Sequence, residues 1–156
     1  MGVGIVRSQR CMPVLALILV LWADARPAEA QANAVTVEHF LGAWELVDWR
    51  ASDGSGNVRF PYGEEAQGQI TYTADGRMSA HLMRPPADLA DAPPQYLSYW
   101  GRFSLDAEAG TVTHHVIGSD QDNWIGSDQV RQFIFEGDDR LVLALGSNRL
   151  TWERAR

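Results

Sequence analysis

The feature that most constrains the fold is an alternation of apolar and polar residues with a period of two, which begins at Ala43. The alternating runs are rich in Val, Ile, Thr and aromatic residues, and clusters of Gly, Asp, Asn and Ser separate them, as is typical of antiparallel strands joined by tight turns. The strongest hairpin signal is Asp75-Gly76, because both residue types tolerate a positive φ. The pattern predicts eight strands: Ala43–Arg50, Gly68–Thr73, Met78–Met83, Ser98–Leu105, Thr111–Ile117, Gln129–Glu136, Arg140–Ala144 and Arg149–Arg154.

An all-β meander of this kind has two exposed edges, and closing the sheet removes both. We therefore predict a single antiparallel up-and-down β-barrel of about eight strands. A short helix at Val35–Leu41, with Thr36 as its N-cap, is predicted to precede it. A two-sheet sandwich is compatible with the same pattern. The interior of an eight-stranded barrel is either filled by its own side chains or holds one small ligand.

The N-terminal residues have the pattern of a secretory signal peptide. Arg7 and Arg10 precede a short apolar run, Val14–Trp22, which small residues follow. The run is shorter than the roughly 20 apolar residues that a membrane-spanning helix needs, although an uncleaved anchor is the alternative. We predict that residues 1–32 form a signal peptide and a flexible N-terminal segment, that residues 33–156 form the barrel domain, and that the protein is secreted or periplasmic. The predicted cleavage sites follow Ala25, Ala30 and Ala32.

The composition excludes several classes of partner and site. The chain has 20 acidic and 13 basic residues, a net charge of −7, and all of the basic residues are Arg. Without a basic run, this balance argues against a nucleic-acid partner or an anionic membrane surface. The single cysteine, Cys11, excludes a disulfide framework and a cysteine-based zinc site.

Several short motifs resemble those of a known family. Gly42-Ala43-Trp44, after a short helix and at the start of the first strand, resembles the G-x-W signature of lipocalin-like barrels. The order of further motifs is similar to the bacterial and fungal lipocalin-like domain family over Val37–Arg154. Those motifs are Phe60–Glu64, Tyr72–Ser79, Thr111–Val116, Asn123–Gly126 and Gln129–Arg131.

The resemblance implies the barrel fold and a specific closing contact, in which an arginine of the last strand packs over the tryptophan of the signature. Arg154 is the first candidate for this arginine and Arg149 the second. A guanidinium over an indole contributes about 0.5–2 kcal/mol. The family has no single established activity, so the resemblance does not imply a function.

The histidines are the first candidates for chemistry. His114 and His115 are adjacent on a strand, so their side chains point to opposite faces and one should face the interior. Val112 and Val116 share a face with His114, which favours His114 as the inward residue, although the other face is nearly as apolar. His81 and the inward histidine could bind a metal together, but no third ligand occurs at a recognisable spacing, so neither a metal nor a cofactor is predicted.

Arg131 shares a strand face with Gln129 and Phe133. If that face is the interior, the guanidinium needs either an anionic group of a ligand or a carboxylate of the protein, such as Glu45 or Asp48. Two long segments, Arg84–Gln95 and Gly118–Gly126, do not fit a minimal meander and are candidates for the rim of a binding site. The second segment contains Trp124, a tryptophan on a polar loop.

Three functions are compatible with these features. The first is binding of a small, largely apolar molecule inside the barrel. The second is a cofactor-independent isomerase, cyclase or lyase that acts on a small hydrophobic metabolite in the same cavity. The third is a barrel filled by its own side chains that acts as a structural or interaction domain. The predicted ligand-binding residues are Tyr72, His81, Tyr99, Trp100, His114, His115, Trp124 and Arg131. The catalytic candidates, if the protein is an enzyme, are His114, His115, Tyr99 and Arg131.

Overall fold

The computed structural model describes Met1, residues 35–85 and residues 95–156. The predicted signal peptide and most of the proline-rich segment at 84–95 lie outside the described residues. Within them the chain forms one α-helix, nine β-strands and a 3₁₀ helix at Asp122–Trp124. The elements are α1 (Val37–Phe40), β1 (Gly42–Ser52), β2 (Val58–Arg59), β3 (Gln67–Tyr72), β4 (Arg77–Met83), β5 (Tyr96–Asp106), β6 (Thr111–Ser119), β7 (Asp128–Phe135), β8 (Arg140–Leu145) and β9 (Asn148–Arg154).

The strands form one closed antiparallel barrel. The sheet runs from β1 through β3 to β9 in chain order, and β1 also pairs with β9, so eight strands close the barrel and β2 is attached to the end of β1. The barrel prediction is confirmed and the sandwich alternative is wrong. All eight predicted strands are present, with bounds that differ by at most two residues. The short β2 was not predicted, because two residues are too few to show an alternation.

A β-bulge changes which side chains of β1 face the interior. The pairing of β1 with β9 shifts between Leu46 and Asp48, so that Val47 is an extra residue and points outward. Before the bulge Trp44 and Leu46 pack against the core, whereas after it Trp49 does. The bulge therefore directs a second tryptophan of the same strand into the barrel.

One end of the barrel is closed by α1 and by the predicted arginine contact. The Phe40 ring is fully buried, and the Trp44 Nε1–H donates to the Phe40 carbonyl at 2.8 Å. The Arg154 Cζ lies 4.2 Å from the centre of the Trp44 ring. Arg154 also donates from Nη1 to the Leu41 carbonyl at 2.8 Å and from Nη2 to the His39 carbonyl at 3.1 Å. Arg154, and not Arg149, thus joins the last strand to the helix that closes this end.

Replacing Arg154 by Lys is expected to lower the free energy of unfolding by about 1–2 kcal/mol, because an ammonium group cannot donate in the fixed fork geometry that serves both carbonyls. Urea denaturation monitored by circular dichroism measures the change. Arg149→Lys is the matched control, since Arg149 is exposed on the same strand. Equal stability of the two variants would contradict the assigned role of Arg154.

Candidate functional site

The other end of the barrel contains a cavity of about 130 Å³. An engineered cavity of comparable size, about 150 Å³, holds one benzene molecule. The third functional hypothesis requires a barrel that its own side chains fill completely, and this barrel is not filled in that way. The wall is mostly apolar and consists of Trp49, Ile70, Leu82, Leu97, Tyr99, Trp124, Arg131, Leu143, Leu145, Asn148, Leu150 and Trp152.

Behind the cavity wall, His114 is held between two tyrosine hydroxyl groups. The Tyr99 hydroxyl lies 2.9 Å from His114 Nδ1, and the Tyr72 hydroxyl lies 2.8 Å from Nε2. All three side chains are buried, and that of His114 is 0% exposed. Since Tyr99 also lines the cavity, the three side chains form a hydrogen-bonded chain from the cavity wall into the core.

The environment keeps this chain uncharged. Burial lowers the pKa of His114 well below its usual value, and the positive charge of Arg131 lowers it further. Burial raises the pKa values of both Tyr72 and Tyr99, and Arg131 opposes the increase. A neutral imidazole has one donor and one acceptor nitrogen, so one tyrosine donates to His114 and the other accepts from it.

Arg131 is a buried charge at the cavity wall. The residue is 7% exposed, and its Cζ lies 5.8 Å from the centre of the Trp124 ring. Trp124 in turn packs edge-on against Tyr99 with ring centres 5.3 Å apart. Within residues 35–85 and 95–156, Arg131 forms no ion pair and its buried Nη1 has no hydrogen-bond partner. Such a group is costly to bury unless something accepts its hydrogen bonds.

The predicted alternative for Arg131, an ion pair with Glu45 or Asp48, is wrong for the structure described. Glu45 alternates with Trp44 and Leu46 and is exposed on the outer face of β1. The bulge at Val47 turns Asp48 outward as well, and its carboxylate pairs with Arg50 at 3.2 Å.

A second residue of the cavity wall has an unpaired donor. Trp152 is 1% exposed, and its Nε1 has no hydrogen-bond partner within the part of the chain that the structure describes. By contrast, the Trp49 Nε1–H donates to Asn148 Oδ1 at 3.0 Å. The lining residues include no aspartate or glutamate among those described. The wall is thus richer in free donors than in acceptors.

Three of the predicted site residues lie on the outer surface and do not line the cavity. His81 is exposed and its Nδ1 lies 2.9 Å from Ser98 Oγ. Trp100 is 54% exposed. His115 Nδ1 lies 2.6 Å from Asp128 Oδ1, because His114 takes the inward position of the alternation and His115 the outward one. The structure brings together the other five predicted residues, which are Tyr72, Tyr99, His114, Trp124 and Arg131.

The prediction omitted two tryptophans of the cavity wall. Trp152 could have been found, because it shares an alternation face with Leu150 near the end of the chain. Trp49 could not, since the bulge at Val47 reverses its face and no sequence pattern marks the bulge. The described residues contain no cluster of three or more His, Cys, Asp or Glu side chains that could hold a metal ion. None of the helices described is long and apolar enough to cross a bilayer.

Comparison with known proteins gives one family and several structures. Residues 41–155 match a family model described as a lipocalin-like domain. A crystal structure of a lipocalin-like protein from Bacteroides uniformis is similar to the chain, with 12% identity and a TM-score of 0.49 over 75% of this chain and 99% of that one. An uncharacterized protein from Bacteroides eggerthii has 11% identity and a TM-score of 0.49 over 74% and 99%. No curated protein matches the sequence.

Proposed function

Because the chain belongs to the lipocalin-like domain family, we propose that it binds a small, largely apolar molecule in the cavity of its barrel. The observation that supports this proposal is the cavity of about 130 Å³, which leucine, isoleucine and tryptophan side chains line at the end opposite α1. Apolar concave sites with a few polar groups are the usual form of small-molecule sites. The polar groups here are those of Tyr99, Arg131 and Asn148, together with the indole N–H of Trp152.

Toluene tests the proposal, because it is apolar, uncharged and close in size to the cavity. We expect toluene to change the tryptophan fluorescence saturably and to raise the melting temperature as its concentration increases. Leu97→Trp places a larger side chain at the cavity wall and should weaken toluene binding about tenfold or more. Ile134→Trp is the matched control, since Ile134 is 50% exposed on the outer face.

Circular dichroism shows whether both variants are folded. The toluene titration of the wild-type protein tests the proposal even if one of them is not. Flat titrations of the wild-type protein with toluene and with a panel of other apolar molecules would contradict the proposal. Equal affinity of both variants for toluene would place the binding site outside this cavity.

The second candidate function is a cofactor-independent isomerase, cyclase or lyase that uses the same cavity. The hydrogen-bonded chain of Tyr72, His114 and Tyr99 supports it, because a neutral imidazole behind a tyrosine hydroxyl can move a proton to or from the cavity wall. Arg131 would stabilise negative charge in this reaction. His115 is on the outer surface and has no role in this version of the hypothesis.

The enzyme hypothesis is tested with the substrates and products of the enzymes that are encoded next to this protein's gene. We expect NMR to detect conversion by the wild-type protein, and we expect Tyr99→Phe to slow it about 100-fold or more, because the hydroxyl at the wall is lost. His115→Gln is the control on the outer surface. Unchanged turnover in Tyr99→Phe, or recovery of every bound metabolite chemically unaltered, would contradict catalysis at this site.

We also propose that the protein is exported, since its first 32 residues have the basic, apolar and small-residue segments of a signal peptide. The test is mass spectrometry of the protein recovered from the periplasm or the culture medium. We expect an N-terminus that follows Ala25, Ala30 or Ala32. An intact N-terminus on protein found only in the cytoplasm would contradict export.

A further inference from the structure

We propose that the molecule bound in the cavity is a monocarboxylate with an apolar body about the size of one six-membered ring, and that Arg131 holds its carboxylate. The inference rests on the proposed binding function and goes beyond it, because it assigns a chemical class to the ligand. Three observations support it independently: the state of Arg131, the other donors of the wall, and the size of the cavity.

The first observation is a buried charge that has no ion pair among the described residues. Arg131 is 7% exposed and lines the cavity, and its Nη1 is buried without an acceptor in the ranges described. A guanidinium always carries its charge, so it cannot escape the cost of burial by losing a proton. A bound anion would offset that cost, and a carboxylate matches the geometry of a guanidinium especially well.

The second observation is the excess of donors around the cavity. The Trp152 Nε1–H is buried and unpaired among the described residues. If Tyr72 donates to His114 Nε2, then His114 Nδ1–H donates to the Tyr99 oxygen, which leaves the Tyr99 O–H free to donate into the cavity. An ionised carboxylate only accepts hydrogen bonds, so it is the complement of such a wall.

The third observation concerns the rest of the ligand. The wall beyond these donors is leucine, isoleucine and tryptophan, and the volume of about 130 Å³ leaves room for about one ring. A small inorganic anion would leave this apolar surface uncovered. The protein as a whole has a net charge of −7, so it repels anions at long range and a preference for one must come from the cavity.

Isothermal titration calorimetry with benzoate, benzamide, toluene and acetate tests the inference. Benzamide has nearly the shape of benzoate without its charge, and acetate has the charge without the ring. We expect the wild-type protein to bind benzoate at least about tenfold more tightly than benzamide, and to bind acetate weakly. Benzoate should also shift the NMR signal of the Trp152 indole N–H, whereas toluene should shift it little.

Arg131→Met removes the charge and keeps an apolar side chain of similar length. We expect it to weaken benzoate binding about 10- to 100-fold, the usual effect of a hydrogen bond to a charged group, and to remove most of the preference for benzoate over benzamide. Arg149→Met is the matched control on the outer surface of β9 and should bind all four molecules as the wild type does. If Arg131→Met does not fold, the comparison of benzoate with benzamide still tests the carboxylate inference, because it uses the wild-type protein alone.

The outcomes separate the two proposals. If toluene binds but benzoate binds no more tightly than benzamide, or if Arg131→Met leaves benzoate binding unchanged, the carboxylate inference is overturned and the binding function stands. If toluene, benzoate and benzamide all fail to bind, the binding function itself is contradicted. Binding of acetate as tight as that of benzoate would show an anion site that does not use the apolar cavity, which also overturns the inference.

Discussion

Replacing Arg131 by Met is expected to raise the free energy of unfolding of the ligand-free protein by about 1–4 kcal/mol. The reason is that the unfolded chain exposes this guanidinium to water, whereas the folded barrel buries it with one nitrogen unpaired among the described residues. A methionine at this position keeps the packing against Trp124 and removes the cost of desolvating the charge. Urea denaturation without ligand measures the change, and Arg149→Met is the exposed control.

The sign of this effect decides between two roles of Arg131. If a carboxylate of the protein pairs with it in the folded state, breaking that pair costs about 3–5 kcal/mol and the variant is less stable than the wild type. Such a loss would remove the main support for an anionic ligand. A gain in stability together with a loss of benzoate binding would instead show that Arg131 lowers the stability of the free protein and serves to bind the ligand.

Acid is expected to destabilise the protein through His114. Burial lowers the pKa of His114 in the folded state, so below its ordinary pKa of 6.5 the unfolded chain binds a proton that the folded chain does not. Above about pH 6.5, His114 should therefore contribute no pH dependence to the free energy of unfolding. Below that pH the free energy of unfolding should fall, with a slope from this group of at most about 1.4 kcal/mol per pH unit.

Denaturation curves of His114→Gln and His115→Gln at several pH values test this assignment. His114→Gln should lose the slope between pH 6.5 and 4.5, whereas His115→Gln should retain it, because His115 is on the outer surface. Hydrogen bonds from Asn57 and Thr73 lower the pKa values of the Asp53 and Asp75 carboxyls, which titrate below this range. An undiminished slope in His114→Gln would show that another group causes the acid sensitivity.

The fold was largely predictable, because its main signals are local. Period-two alternation and turn residues act over a few positions, and they place the eight strands within two residues of their bounds. The turn at Asp75-Gly76 is such a signal, and Gly76 has the positive φ of 79° that the turn was expected to need. The closing contact of Arg154 over Trp44 followed from the resemblance of the first strand to a known signature.

The candidate site was only partly predictable, because its contacts are set by register between distant strands. The alternation favoured His114 as the inward histidine, but it could not show that Tyr72 and Tyr99, 42 and 15 residues away, bond to its two nitrogens. Likewise, Arg131 was identified as a buried charge in need of a partner, and the sequence could not exclude Glu45 or Asp48.

The sequence by itself determined the strands and their turns, since alternation and turn chemistry depend on near neighbours along the chain. It favoured, without fixing them, the closed barrel and the inward faces of the strands. Only the tertiary structure decided which side chains the inward faces of different strands bring into contact. The bulge at Val47 turns Trp49 inward and Asp48 outward, and ring closure then sets which side chains surround Arg131. The physical reason is that pairing partners come from strands far apart in the chain, and a shift of one residue moves a side chain to the opposite face of the sheet.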